Sequence, residues 1–507
     1  MPKRLIDLGT SRTQPGPKLI YPRGRQEQYL TLSYCWGDAK PYKTTAQNIG
    51  RMEKFIPTQT LPQTIRDAFQ VAHELNVQYI WIDALCIIQD NKGEWDEESK
   101  GMGAIYANSY ATIAATCAEN SGQGFLRFRT IERVEVPFRM HTKAEPEEAI
   151  YFRRPSDLID DHVIFVRGSP LQKRAWVLQE MLLSRRIIHF SSKQIYWECR
   201  TTFGAEDGIT EGADSREHTH EFLDALSSLQ DGMVSDMHGM IFFAAWARVV
   251  QRYSTLSMSK QSDKLPALSG LASLAEPILG HSYLYGIWNF NLPYGLFWHP
   301  LHRPAQRPHE WRAPSWSWAA QEGEILFENY FPLEDSCISF REALGDIPQG
   351  ALRLKGRIQA CYVSLDLQPQ PRPCRSDRKL REIPATPAEY AFAVDEKTLL
   401  EYQASTETKA YDLNGTKPGV SLLRVTEGRL MGVQGYVERN VCRFDAERGN
   451  NQHFHFLRLA CCSGMDFHHC RGLLLRQTTI GTYERVGVGW STDAAWHTVQ
   501  ESIVTLI

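Results

Sequence analysis

No stretch of the sequence approaches the roughly 18 apolar residues that a membrane-spanning helix needs. The longest candidate, Met240 to Trp246, is stopped by Arg248. The opening octet, Met1-Pro2-Lys3-Arg4-Leu5-Ile6-Asp7-Leu8, lacks the apolar core of a secretion signal. Charge of one sign is not in excess either. The 56 basic and 59 acidic residues leave a formal net charge of −3, which excludes a global basic field for nucleic acid or anionic lipid. There is no P-loop glycine pattern and no internal repeat. The 11 cysteines never take the Cys-x-x-Cys spacing of a structural zinc site, so free thiols in a reducing compartment are expected. These absences point to a soluble, cytoplasmic protein with no membrane span, no nucleic-acid partner, no metal and no bound cofactor.

What is present is ordinary globular composition, 42% apolar and 23% charged, spread over 507 residues, too many for one core. Residues 1–28 read as a lead-in rich in Pro, Gly and Arg. Tyr29 to Tyr34 is a β-rich run ending at the turn signal Trp36-Gly37-Asp38. Thr60 as N-cap, Pro62 in the first turn and apolar residues at Leu61, Ile65, Ala68, Phe69, Ala72 and Leu75 predict a helix that Asn76 can close. Tyr79 to Ile88 runs apolar without alternation, as a strand buried on both faces does. A second helix is expected over 94–108, a strand over 110–115, a charge-rich insertion over 120–169, a helix over 171–183 and a strand over 186–190. This alternation predicts an α/β fold, a parallel sheet with helices on both faces. Ligand sites in such sheets lie beyond the carboxyl ends of the strands.

The N-terminal domain is expected to span 29–204, followed by a mainly helical region over 205–330 and a β-rich region over 331–507. Short strand-like runs such as Ala351 to Ile358, Gly432 to Val437 and Gly472 to Leu475 carry the last expectation. Two His/Cys groupings sit there: His453 with His455, and Cys461, Cys462, His468, His469 and Cys470. Neither has metal-site spacing. Trp316 and Trp318 alternate on a strand-like run, which would place both rings on one face in the core.

Four segments in series resemble the HET domain of fungal heterokaryon-incompatibility proteins. They are Leu32-Ser33-Tyr34-Cys35-Trp36-Gly37, Leu61 to Ala68 (LPQTIRDA), Tyr79 to Asp90 (YIWIDALCIIQD) and Arg174 to Ser184 (RAWVLQEMLLS). Later pieces resemble segments found downstream of this domain in full-length members: Lys264 to Gly270, Tyr285-Gly286-Ile287-Trp288, Ala313 to Trp318 (APSWSW) and Tyr483 to Gly487 (YERVG). The resemblance implies a programmed-cell-death effector of self/non-self recognition, with an incompatibility partner protein. The HET domain is in turn similar to TIR domains, some of which hydrolyse NAD. That similarity implies NAD as a small-molecule substrate, a homo-oligomer that completes the site, and Glu180 in the place of the catalytic glutamate. A non-enzymatic signalling scaffold, or another small-molecule enzyme on the same sheet, is the alternative.

The residues can be weighed on their own chemistry. Trp176, Glu180 and Leu183 share a helix face, and an acid between a Trp and a Leu is partly desolvated, which raises its pKa. Such a carboxylate can stabilise the oxocarbenium-like state of nicotinamide–ribose cleavage, or it can pair with Arg174, Arg185 or Arg186 as a structural ion pair. Asp83 can hold a ribose hydroxyl, or cap the following turn. Asp90 belongs either to the substrate site or to the N-cap of the next helix. Ser33, Tyr34, Cys35 and Trp36 lie where the first strand ends, Trp36 as a ring to stack on a base or as a buried plug. Cys35 with His189 could form a thiol and base, although no local signature supports the pairing.

Overall fold

The structure, a computed structural model, describes residues 1–9, 16–37, 42–127, 129, 134–138, 148–152, 161–212, 221–230, 236–301, 307–327, 335–336, 338–340, 350–363, 390–393, 441–444, 453–464, 467–491 and 499–507. The chain divides into two compact units. Unit 1 comprises Met1–Met233 and Leu256–Ile278, and unit 2 comprises Val234–Thr255 and Leu279–Ile507.

Unit 1 is built on a nine-stranded sheet. Its strands are β1 (Leu5–Asp7), β2 (Lys18–Ile20), β3 (Tyr29–Ser33), β4 (Tyr79–Trp81), β5 (Ala111–Ala114), β8 (Arg186–Phe190), β9 (Ile195–Cys199), β10 (Thr202–Ala205) and β11 (Thr210–Gly212). Two more, β6 (Val134–Phe138) and β7 (Glu148–Phe152), pair with each other within the expected insertion. The order is β11-β10-β9-β8-β5-β3-β4-β1-β2. The centre is parallel as expected, β4 and β5 flanking β3 and β8 following β5. This is the order of a doubly wound, flavodoxin-like sheet, whose direction switches between β3 and β5. Antiparallel strands extend it at both edges. The expected lead-in thus contributes two strands. Buried Arg4 ties it down by donating Nε to the Cys86 carbonyl at 2.7 Å and by pairing with Glu94.

Right-handed crossovers put the Gln63–Glu74 helix on one face and the Lys92–Ala107 and Ala175–Leu183 helices on the other. Both strands beside the switch are buried along their whole length, as parallel strands covered on two faces are. The strand expected over Tyr79 to Ile88 stops at Trp81. Asp83 accepts the Ala84 N–H at 2.7 Å and starts a one-turn helix, Asp83–Cys86. The helix expected from Thr60 begins at Gln63, because Thr60 closes a 3₁₀ turn on the Pro57 carbonyl instead. Asn76 does close it, in the left-handed region at φ 53°. Gly103, inside the second helix, has a packing reason. A Cβ there would lie 2.8 Å from Gly270 Cα on the Pro266–Leu279 helix.

Unit 2 holds the Asp236–Ser254 helix and a β-rich body. Leu352–Val363, His453–Gly464, Phe467–Thr479, Thr482–Ser491, Val441–Phe444 and Tyr390–Ala393 pair in turn and close back on the first, a barrel. The run Gly432 to Val437 and the side chains of Cys461, Cys462, His468 and His469 lie outside the described residues. The APSWSW run is no strand. Trp316 sits in a turn, donating Nε1 to the Gly350 carbonyl at 3.0 Å, and Trp318 opens a 3₁₀ turn and donates to the Gly286 carbonyl at 2.8 Å. Fully buried Arg485 stacks 3.5 Å over the Trp298 ring and donates to the Leu296 and Trp298 carbonyls, while its own N–H binds Ser315 Oγ. Three of the later motifs, at Tyr285 to Trp288, Ala313 to Trp318 and Tyr483 to Gly487, therefore interlock within unit 2, whereas Lys264 to Gly270 lies in unit 1.

Among the described residues, no helix is long and apolar enough to cross a membrane.

Candidate functional site

The carboxyl ends of β3 and β4 bring two acids and one guanidinium together. Ser33, the last residue of β3, donates its hydroxyl to Glu180 Oε2 at 2.5 Å. Trp36 donates its indole N–H to Asp83 Oδ2 at 2.8 Å. Arg174, just ahead of the helix that carries Glu180, donates Nη1 to the Tyr34 carbonyl and lies close enough to both acids to favour their ionised forms. Tyr106 reaches in from the neighbouring helix, its hydroxyl on the Leu32 carbonyl at 3.2 Å.

Burial decides the electrostatics. Glu180 is 7% exposed, and desolvation pushes its carboxyl up to about 7 against the opposing pull of Ser33 and Arg174, with Asp83 adding to the rise. Asp83 is also held above the usual carboxylate range by desolvation, although it keeps a partly exposed edge. One cation thus serves two acids, and a proton is shared into the cluster at neutral pH. Tyr34 adds a hydroxyl that is buried without a completed hydrogen bond, in the field of Asp83.

The loop after β3 meets the loop after β5 across the switch point. Gly37 has φ +74°, and a Cβ there would strike Asn120 Cβ. Ser121 Oγ donates to the Trp36 carbonyl at 3.0 Å. The far wall is pinned by Asp67 of the LPQTIRDA run, which is buried and accepts the Phe125 and Leu126 N–H groups at 2.6 and 3.0 Å. Thr64 of the same run accepts the Gly124 N–H at 3.2 Å.

Residues 29–180 match the family model described as heterokaryon incompatibility protein (HET). The chain carries a HET domain. The match opens on the first residue of β3 and closes on Glu180, so it spans the polar cluster from end to end. A HET domain supports a role in heterokaryon incompatibility. No curated protein and no solved structure matches the chain.

Of the residues singled out from sequence, the HET domain gathers Ser33, Tyr34, Trp36, Asp83 and Glu180. Cys35 is the neighbour of Ser33 in the chain but packs in an apolar cluster with Ala114, Leu171, Val177, Met181 and Ile187. Burial raises its thiol, and His189 is engaged with Glu198 at 3.1 Å. Asp90 holds the Ala46 N–H at 2.9 Å, and Asn91, not Asp90, caps the following helix through the Glu94 N–H. Trp176 turns its indole to Asp263 Oδ2 at 3.1 Å and packs edge-on against Trp95. Val177 and Met181 of the Glu180 helix pack in the Cys35 cluster against Ala114 and Ile187 of the sheet. Arg174 is one of the three arginines expected beside Glu180, and it also acts on Asp83. Tyr106 was not anticipated.

Proposed function

We propose that the HET domain hydrolyses NAD in an incompatibility-linked cell-death response. Water adds to the ribose C1′ as the glycosidic C–N bond breaks, nicotinamide leaves with the bonding electron pair, and the water's second proton passes to solvent. Glu180 is the carboxylate that stabilises the oxocarbenium-like state, and Ser33 fixes its orientation. Asp83, on the more open side, receives the ribose hydroxyls, and Trp36 offers a ring for stacking. Arg174 sets the acidity of both acids. The observation that carries the reading is Glu180, held by Ser33 beside Asp83 at the switch point, with its acidity moved to the neutral range where a group can both hold and give up a proton. Self-association completes the site in this reading, as the similarity to TIR domains implies.

The low exposure of Glu180 favours a second reading, a signalling scaffold in which the same cluster is structural. NAD consumption by the concentrated full-length protein separates the two. Release of nicotinamide by wild type and its loss in Glu180→Gln support the hydrolase. Intact NAD in the presence of folded, self-associated protein leaves the scaffold.

A further inference from the structure

A second buried polar group lies on the other side of the sheet centre, and nothing in the NAD reading uses it. Register places Ile187 of β8 opposite Glu198 of β9, so His189, two residues on, projects from the same face as Glu198. The His162–Arg167 π-helical turn covers that face, with Val166 packed against Tyr196 and Phe203. His162 seats its ring edge-on against Phe203, centroids 4.6 Å apart. His162, His189 and Glu198 side chains are 8%, 1% and 6% exposed.

Thr116 Oγ1 lies 3.2 Å from the Ala114 carbonyl and 3.4 Å from His189 Nδ1, while His189 Nε2 faces Glu198 Oε2 across 3.1 Å. His162 Nε2, 3.7 Å from the same oxygen, is buried without a hydrogen-bond partner. Three ligating atoms thus converge, and a hydrogen bond between His189 and Glu198 still leaves His162 Nε2 alone, whereas a cation engages all three. The three ligand atoms lie within 4.8 Å of one another. Tetrahedral zinc, with bonds of about 2.0–2.2 Å, sets its ligand atoms about 3.3 Å apart, between the two distances observed to Glu198. Thr116 behind His189 is the outer partner that metal-bound imidazoles use.

We infer that His162, His189 and Glu198 bind one divalent transition-metal ion, best matched by zinc, which pins the π-helical turn onto the β8–β9 hairpin. Two imidazoles and one carboxylate suit zinc over calcium or magnesium. The test is Co²⁺ titration of the full-length, chelator-treated protein, followed by displacement with Zn²⁺. One equivalent is expected, with a visible spectrum of tetrahedral cobalt that zinc abolishes, and with binding weakened at least about 100-fold in His162→Ala and Glu198→Gln. Thermal melting of wild type, which needs no variant to fold, should move upward with Zn²⁺ and downward with chelator. Folded wild type that takes up neither ion and melts identically in both conditions overturns the site, as does equal uptake by the variants. Either result would leave the three side chains as a hydrogen-bonded cluster without a metal.

Discussion

Ser33 and Glu180, 147 residues apart in sequence, share a 2.5 Å hydrogen bond at the carboxyl end of the central strand. The acid at its acceptor end has left its ordinary value of 4.5 for about 7, chiefly through desolvation. The folded state therefore holds this proton more tightly than the unfolded chain. The stabilising effect is complete below about pH 4.5 and is lost as pH rises through about 7. At ~1.4 kcal/mol for each pH unit between those two values, the full span amounts to about 3 kcal/mol. Denaturant unfolding between pH 4 and pH 8, compared with Glu180→Gln, should show wild type losing roughly that much more. Parallel curves for the two proteins would mean that Glu180 titrates normally.

The same acid sets an expectation for catalysis. Stabilising an oxocarbenium-like state needs the carboxylate form, so kcat/KM for NAD should rise with pH with an apparent pKa near 7. Asp83→Asn should keep folding but move that limb downward, because it removes a neighbouring negative charge. A limb that stays in place in Asp83→Asn would separate the two acids functionally.

Two glycines in one helix should respond with opposite signs. Gly101 has open space where a Cβ would go, so Gly101→Ala should stabilise by about 0.5–1 kcal/mol through helix propensity alone. Gly103 meets the Gly270 backbone, so Gly103→Ala should destabilise by about 1–3 kcal/mol in spite of the same propensity gain. Melting temperatures of the two variants, measured side by side, check this.

Asp67 offers a test of what the LPQTIRDA motif is for. Replacing it with Ala leaves the buried Phe125 N–H and the part-buried Leu126 N–H without their acceptor, which should cost about 1–3 kcal/mol. Asp67→Asn, which keeps one acceptor oxygen, should recover part of the loss. Wild-type stability in Asp67→Ala would remove the motif's structural explanation.

The sheet was legible because its strands are short apolar runs between turn residues, and the helices because apolar spacing and closing residues such as Asn76 mark them. Asp83 was legible as a residue at a strand end, where it begins the next turn and accepts the Trp36 indole N–H. The antiparallel edges were not legible, since three-residue strands such as Leu5–Asp7 carry almost no periodicity. Trp176 misled for a different reason. Helical spacing placed it beside Glu180 but could not show that Asp263 is the partner of its indole. The grouping of His162, His189 and Glu198 breaks every local spacing rule for metal sites. Two of its members are joined by strand register and the third arrives on an irregular turn, so the chain read as metal-free.

The two units are interleaved along the chain: Val234–Thr255 belongs to unit 2, and Leu256–Ile278 returns to unit 1. Gln179, inside unit 1, takes its backbone donor from Gly270, 91 residues later. As the polypeptide leaves the ribosome, the HET-bearing unit therefore cannot finish before a helix of the other unit has been made. That helix must in turn keep Phe243 waiting for Phe327. Unit 1 can close only when its second segment arrives, with a helix of unit 2 already strung between its two parts, and a boundary drawn at the end of the matched span would cut it before Gly270 is made.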